Sequence, residues 1–217
     1  CYNIVDMLIV GRALGAGALA AVGAAYTLMT FLTSVLIGMC MGSGTVFSFY
    51  FGKGDDRRMK EGMTASFLFI TAVTIAMNIL VFAAIDPILR LLKIPADIHE
   101  MMREYVWIIF WGIFFIFLYN YFAFALRAVG NSVIPLWFLG ISSVANIVLD
   151  VVFVMGIHMG VAGAAWATVL SQIIAGAGIG FYTWIKEPLL RFPMGVRSIM
   201  ESRKSLPEIV HFSLAAS

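Results

Sequence analysis

Two carboxylates, Asp6 and Asp150, lie inside runs that are otherwise apolar. An acid at the centre of a membrane-spanning helix costs about 2.5–3.5 kcal/mol on insertion scales, so it persists where it pairs, protonates or serves a pathway. Asn146 precedes Asp150 by four residues, which puts both on one face of a helix. Thr168 falls in the next apolar run, and Tyr105 stands at the entrance to the fourth. Carboxylate, carboxamide and hydroxyl oxygens are hard ligands suited to Na⁺, and a carboxylate pair suits H⁺ equally well. Two acids brought together in low dielectric cannot both stay ionised without a cation; one takes a proton, or the pair takes Na⁺. Such a site is a switch between two charge states. The rival reading is purely structural: acids near helix ends, and ordinary interhelical hydrogen bonds from Asn146 and Thr168.

The rest of the composition explains why two acids stand out. Of 217 residues, 62% are apolar and 12% are Asp, Glu, Lys or Arg. Soluble domains average about 45–50% apolar and 25% charged residues, so this chain cannot build a solvated surface. Mean hydropathy is +0.98. Helical spans of about 20–25 residues each would use nearly the whole length. A net charge of +2, with no basic arm, gives no reason to expect a nucleic-acid partner. His99, His158 and His211 are scattered without ligand spacing, and Cys1 and Cys40 form no metal cluster, so no permanent metal site is expected. No HExxH, GxSxG, P-loop or dinucleotide fingerprint occurs, which argues against an enzyme and against a bound cofactor. Gly176, Gly178 and Gly180 mimic part of such a fingerprint, but within an apolar run they read as helix-packing positions.

Six apolar runs must hold the candidate residues: 1–10, 19–51, 63–85, 106–126, 133–157 and 161–185. Polar connections are expected at 52–61, 86–104, 127–132 and 186–208, with tight links at 11–17 and 156–160. Residues 209–217 turn apolar again, so the expectation is a six-helix lobe (1–185), an inter-lobe linker (186–208) and the start of a seventh span (209–217), with the first helix also cut short. Parts of the linker, 189–191 and 197–204, read as a surface-lying amphipathic helix. Connections after odd-numbered spans hold four basic residues: Arg12, Arg90, Lys93 and Arg103. The other ten of the fourteen fall after even-numbered spans, so those loops, and the N-terminus, are expected to face the cytoplasm.

A series of segments carries a resemblance. Tyr2–Asp6, then Val10–Gly11 and Gly15–Gly23, resemble the first helical hairpin of the MATE (multidrug and toxic compound extrusion) family. Gly52–Lys53–Gly54–Asp55 is similar to that family's Gly-x-Gly-Asp loop, and Leu126–Asn131 with Pro135 to the loop between its fourth and fifth spans. Asn146–Asp150 and Gly160–Thr168 resemble its fifth and sixth helices. The likeness runs through essentially the whole chain in the family's order, and its site residues resemble the DinF-like branch.

The resemblance implies an all-α membrane protein, one six-helix lobe of a twelve-helix antiporter. Such a protein exports organic, often cationic or amphipathic, compounds in exchange for Na⁺ or H⁺. The implied coupling-cation set is Asp6, Asn146, Asp150 and Thr168, with Tyr105 as a fifth member. Expected partners are those small molecules, membrane lipids and a C-terminal lobe of the same chain, in a bacterial or archaeal cytoplasmic membrane. A lipid-linked oligosaccharide flippase is the first alternative; it would line its cavity with basic residues, whereas all fourteen here fall in connections. A channel or a non-transporting scaffold is the second.

Overall fold

The computed structural model describes residues 2–91 and 94–192, and all regular structure among them is helical. The helices are α1 (Tyr2–Leu14), α2 (Ala16–Gly52), α3 (Asp56–Leu91), α4 (Ala96–Ile109), α5 (Ile113–Ala128), α6 (Val133–Asp150) and α7 (Gly160–Lys186). A 3₁₀ turn, Phe110–Gly112, joins α4 to α5 as one rod, and a π-helical turn, Val151–Gly156, prolongs α6. Among the described residues, five runs are long and apolar enough to cross a membrane: α2, α3, the α4–α5 rod, α6 with its π turn, and α7. Helix α1 is shorter, at 13 residues.

Two of the expected loops are mostly helix. Helix α3 starts at Asp56 and runs to Leu91, and α4 starts at Ala96, so the polar stretches 52–61 and 86–104 lie largely on helix ends. Hydropathy changes where a helix leaves the apolar layer, whereas the backbone ladder continues until a breaker or a partner ends it. Charges on these protruding turns satisfy one another: Arg57 bonds Glu61 at 2.9 Å, and Arg103 of α4 bonds Asp86 of α3 at 3.0 Å. Pro87 lacks the N–H that the ladder needs and crowds the preceding turn; the kink appears at Ala84, whose φ of −116° and ψ of 17° are non-helical.

The reversal from α1 to α2 turns on Gly15, which takes φ +90°, a conformation L side chains rarely adopt. A Cβ at Gly11 would stand 3.3 Å from Leu19 Cδ2, so this glycine lets the two helices close up beside the turn.

An aromatic cluster ties α2, α3 and α5 together. Phe47, Phe67 and Phe117 surround Tyr121, with ring centroids 5.2–5.9 Å from it. The fully buried Tyr121 hydroxyl donates to Met63 O at 2.7 Å and lies 3.2 Å from Ser66 Oγ. We expect Tyr121→Phe to lower stability by about 1 kcal/mol, because it removes a buried hydrogen bond while Ser66 Oγ still donates to the Met63 carbonyl, with the loss read from thermal unfolding in detergent.

Phe192 joins the same cluster, 5.4 Å from Phe67, and Leu190 is buried beside it. The stretch 189–191 is therefore no surface amphipathic helix: Pro188–Leu190 is a 3₁₀ turn pressed onto the lobe by two apolar anchors. Arg191 caps α7 by donating to the carbonyls of Trp184 and Ile185. The remaining expected linker and seventh span, 193–217, lie outside the described residues.

Candidate functional site

Asp150 is the last residue of α6, where the helix widens into the π turn. Such turns are uncommon and recur at functional sites. Asn146, one turn earlier on the same face, is fully buried, as is Asp150. Both point inward, away from the exposed edge of Leu136, Trp137, Ile141, Val144 and Val148. Helix α1 packs against α6, α7 and the π turn, which brings the buried Asp6 alongside Asp150. Thr168 arrives from α7 and accepts a long hydrogen bond, 3.4 Å, from Asn146 Nδ2.

The electrostatics of this cluster are one-sided. Asp6 Oδ1, Asn146 Oδ1 and both carboxyl oxygens of Asp150 are buried with no other donor facing them, and the Asp6 and Asp150 carboxyls lie close enough to share one proton between them. Buried acceptors are ordinarily paired, and each one left alone costs free energy comparable to a lost hydrogen bond. Among the described residues no Lys or Arg is buried, so no fixed cation answers these oxygens. The donor set fits a proton or a small hard cation.

Tyr105 is placed differently. It is buried on α4 and lines a cavity of about 280 Å³ formed among α2, the α4–α5 rod, α6 and α7. Thr168 lines this cavity too, whereas Asp6, Asn146 and Asp150 do not. Thr168 thus belongs to both places. Sequence reasoning missed Ser142, Ser171 and Gln172, which also line the cavity. Their signal was the helical repeat: Thr168, Ser171 and Gln172 are spaced i, i+3, i+4, and Ser142 precedes Asn146 by one turn.

Fold and site together define a multi-pass helical membrane lobe with a buried acid pair and, reached through Thr168, a partly open cavity of apolar walls and neutral polar groups. The MatE family profile matches residues 1–152. This chain belongs to the MatE family. "Probable multidrug resistance protein YpnP" of Bacillus subtilis (strain 168) is 35% identical over 191 residues, which cover 88% of this chain and 43% of YpnP. "Probable multidrug resistance protein YoeA" of the same strain is 32% identical over 210 residues, covering 94% of this chain and 45% of YoeA. A solved structure described as MATE in the bent conformation superposes with a TM-score of 0.91 at 25% identity, over 99% of this chain and 48% of that one. The chain spans about half the length of the proteins it matches, and its fold is one lobe of theirs.

Proposed function

We propose that this chain is the N-terminal lobe of a cation-coupled antiporter that exports organic compounds across a bacterial or archaeal cytoplasmic membrane. The carrying observation is the cluster of buried, unpartnered oxygens from Asp6, Asn146 and Asp150. A protein that folds with such a cluster gains stability when Na⁺ or H⁺ arrives, so the ion biases whichever conformation seats it best. Asp6 and Asp150 hold the charge, Asn146 supplies a carboxamide oxygen, and Thr168 steadies Asn146 and reaches the cavity. Tyr105 acts from the cavity side. The two lobes rock about a central path, and ion binding on one side is exchanged for release of the organic compound. Substrates of the organic, cationic or amphipathic kind fit the named relatives, both described as probable multidrug resistance proteins.

The end carrying Lys53, Arg57, Arg58, Lys60, Arg127, Lys186 and Arg191 faces the cytoplasm in this reading, and the end with Arg12, Arg90 and Arg103 faces out. A flippase of pyrophosphate-linked lipids fits less well, since among the described residues no basic side chain is buried in the lobe. The test is ethidium uptake into everted vesicles bearing the complete protein, under imposed Na⁺ or H⁺ gradients. Uptake that follows one ion and stops when that gradient is collapsed is the expected result, and it identifies the ion. Uptake indifferent to both gradients rules out antiport.

A further inference from the structure

Helix α6 ends in a way that the ion-coupling reading leaves unused. Immediately after Asp150 the backbone widens into the π turn Val151–Gly156. Its bonds reach further back than the four residues of an α-helix. Ile157 N–H donates to Val152 O at 2.8 Å and Met159 N–H to Phe153 O at 2.9 Å, five and six residues back. The link to α7 cannot take up the extra residue, because it already turns sharply through two left-handed positions, His158 at φ +60° and Gly160 at φ +64°. One residue more or fewer between Asp150 and this link amounts to about 100° of rotation and about 1.5 Å of rise. The π turn therefore bears on how the last turn of α6 is rotated about its own axis.

Helices α1 and α7 both pack against the π turn. On the α7 side the contact is made by the buried Gly163. A Cβ there would stand 3.0 Å from Met159 Cβ and 3.2 Å from both the carbonyl carbon and the Cβ of Phe153. Phe153 lies inside the π turn, so the missing Cβ lets α7 press directly on the backbone of that turn. The charged residues of α1, α6, the π turn and α7 are Asp6, Arg12, Asp150 and Lys186, and the two basic ones lie in the last turns of their helices. Asp150 thus has Asp6 as its charged neighbour, and the placing of the two carboxyls governs how well one ion serves both.

We propose that Gly163 is a positioning residue for the acid pair: it seats the π turn against α7, and the seated turn aims Asp150 at Asp6. Gly163 itself touches no ion. This inference rests on the reading of the chain as a cation-coupled antiporter. The competing arrangement has α6 alone aiming Asp150, through the burial of Ser142 and Asn146 earlier in the helix, with the π turn a passive ending.

Gly163→Ala separates the two, because its Cβ pushes on Phe153 and the neighbours must give by a few tenths of an ångström. Gly140→Ala, on α6 but with nothing within 4 Å of the added Cβ, is the control. The complete protein in lipid nanodiscs is titrated with Na⁺ at fixed pH, and with H⁺ in the absence of Na⁺, while its unfolding temperature is followed. An ion that binds the folded protein raises that temperature, and the concentration at which the rise sets in reports the affinity. Gly163→Ala is expected to raise that concentration about tenfold, as loss of a group that orients ion ligands does. Ion-driven uptake in vesicles should need the same higher concentration, with its maximal rate little changed. Gly140→Ala should titrate like wild type. Hydrogen exchange supplies a measurement that needs no substitution: the amides of residues 153–159 in the wild type should exchange more slowly once the ion is bound, after correction for the pH dependence of exchange itself.

A lower unfolding temperature with an unchanged ion titration in Gly163→Ala would make the glycine a packing residue and overturn the proposal. If that variant does not fold, exchange at 153–159 that ignores the ion overturns it instead, because a turn that aims Asp150 must respond when the pair is filled. Either result in a protein that the ion stabilises leaves the antiporter standing. A wild type that neither ion stabilises removes the antiporter reading, and the role of Gly163 with it.

Discussion

Ion-driven ethidium uptake is expected to fall by about 100-fold or more when Asp150 is replaced by Asn, as befits losing the free energy that couples two sites. The amide keeps the shape of the side chain and removes its capacity to carry charge. Asp6→Asn is expected to do the same, because the two carboxyls adjoin and neither alone forms the two-state switch. The double variant should then be no worse than either single one, since groups that act as a unit are not additive. Stability is expected to move the other way. Asp150 is fully buried with both oxygens unpartnered, so a neutral amide relieves a desolvation burden. Thermal unfolding of Asp150→Asn in detergent should occur at the same temperature as wild type or above it. A variant that transports with unchanged ion dependence would return Asp150 to a structural role. One that fails to transport because it unfolds would leave the stability half of this prediction wrong.

Much of this arrangement is legible in the sequence because charge is scarce. With so few ionisable residues, an acid in an apolar run is conspicuous, and the four-residue step from Asn146 to Asp150 fixes a shared face. The partner is less visible. Nothing local in residues 1–10 says that α1 will cross α6 beside Asp150; that contact is made by tertiary packing of α1 against α6, α7 and the π turn. Helix ends were misjudged for a different reason. Asp56, Arg57 and Arg58 look like loop residues on a hydropathy scale, yet they form the first turn of α3, where water solvates the charges and the backbone stays helical. The cavity was the least legible feature. At least one Ser, Thr, Asn or Gln occurs in every span, and only the folded lobe shows which of them converge and which bond back to their own helix.

The glycine run in α7 yields the second large effect, and helical geometry explains its pattern. Successive residues rotate by about 100°, so Gly176 and Gly180 share a face while Gly178 points to the opposite side. Their neighbours agree. A Cβ at Gly176 would collide with the backbone carbonyl of Phe115, and one at Gly180 would stand 3.1 Å from the Phe122 ring, both on α5. A Cβ at Gly178 would stand 2.7 Å from the Phe138 ring on α6. A ring can swing aside, whereas a helix backbone moves only with the helix. Gly176→Val is therefore expected to cost about 3 kcal/mol or more, and Gly178→Ala about 1 kcal/mol. Gly140, with nothing within 4 Å of its added Cβ, serves as the control. Gly140→Ala should be neutral, or more stable by up to about 1 kcal/mol through helix propensity. Melting temperatures of the purified variants test the order, and equal melting of Gly176→Ala and Gly140→Ala would refute the close contact between α5 and α7. The consequence reaches the cavity as well, because Phe115, Gln172 and Ala175 line it on either side of that contact. Forcing α5 away from α7 opens the wall at the height of Gln172.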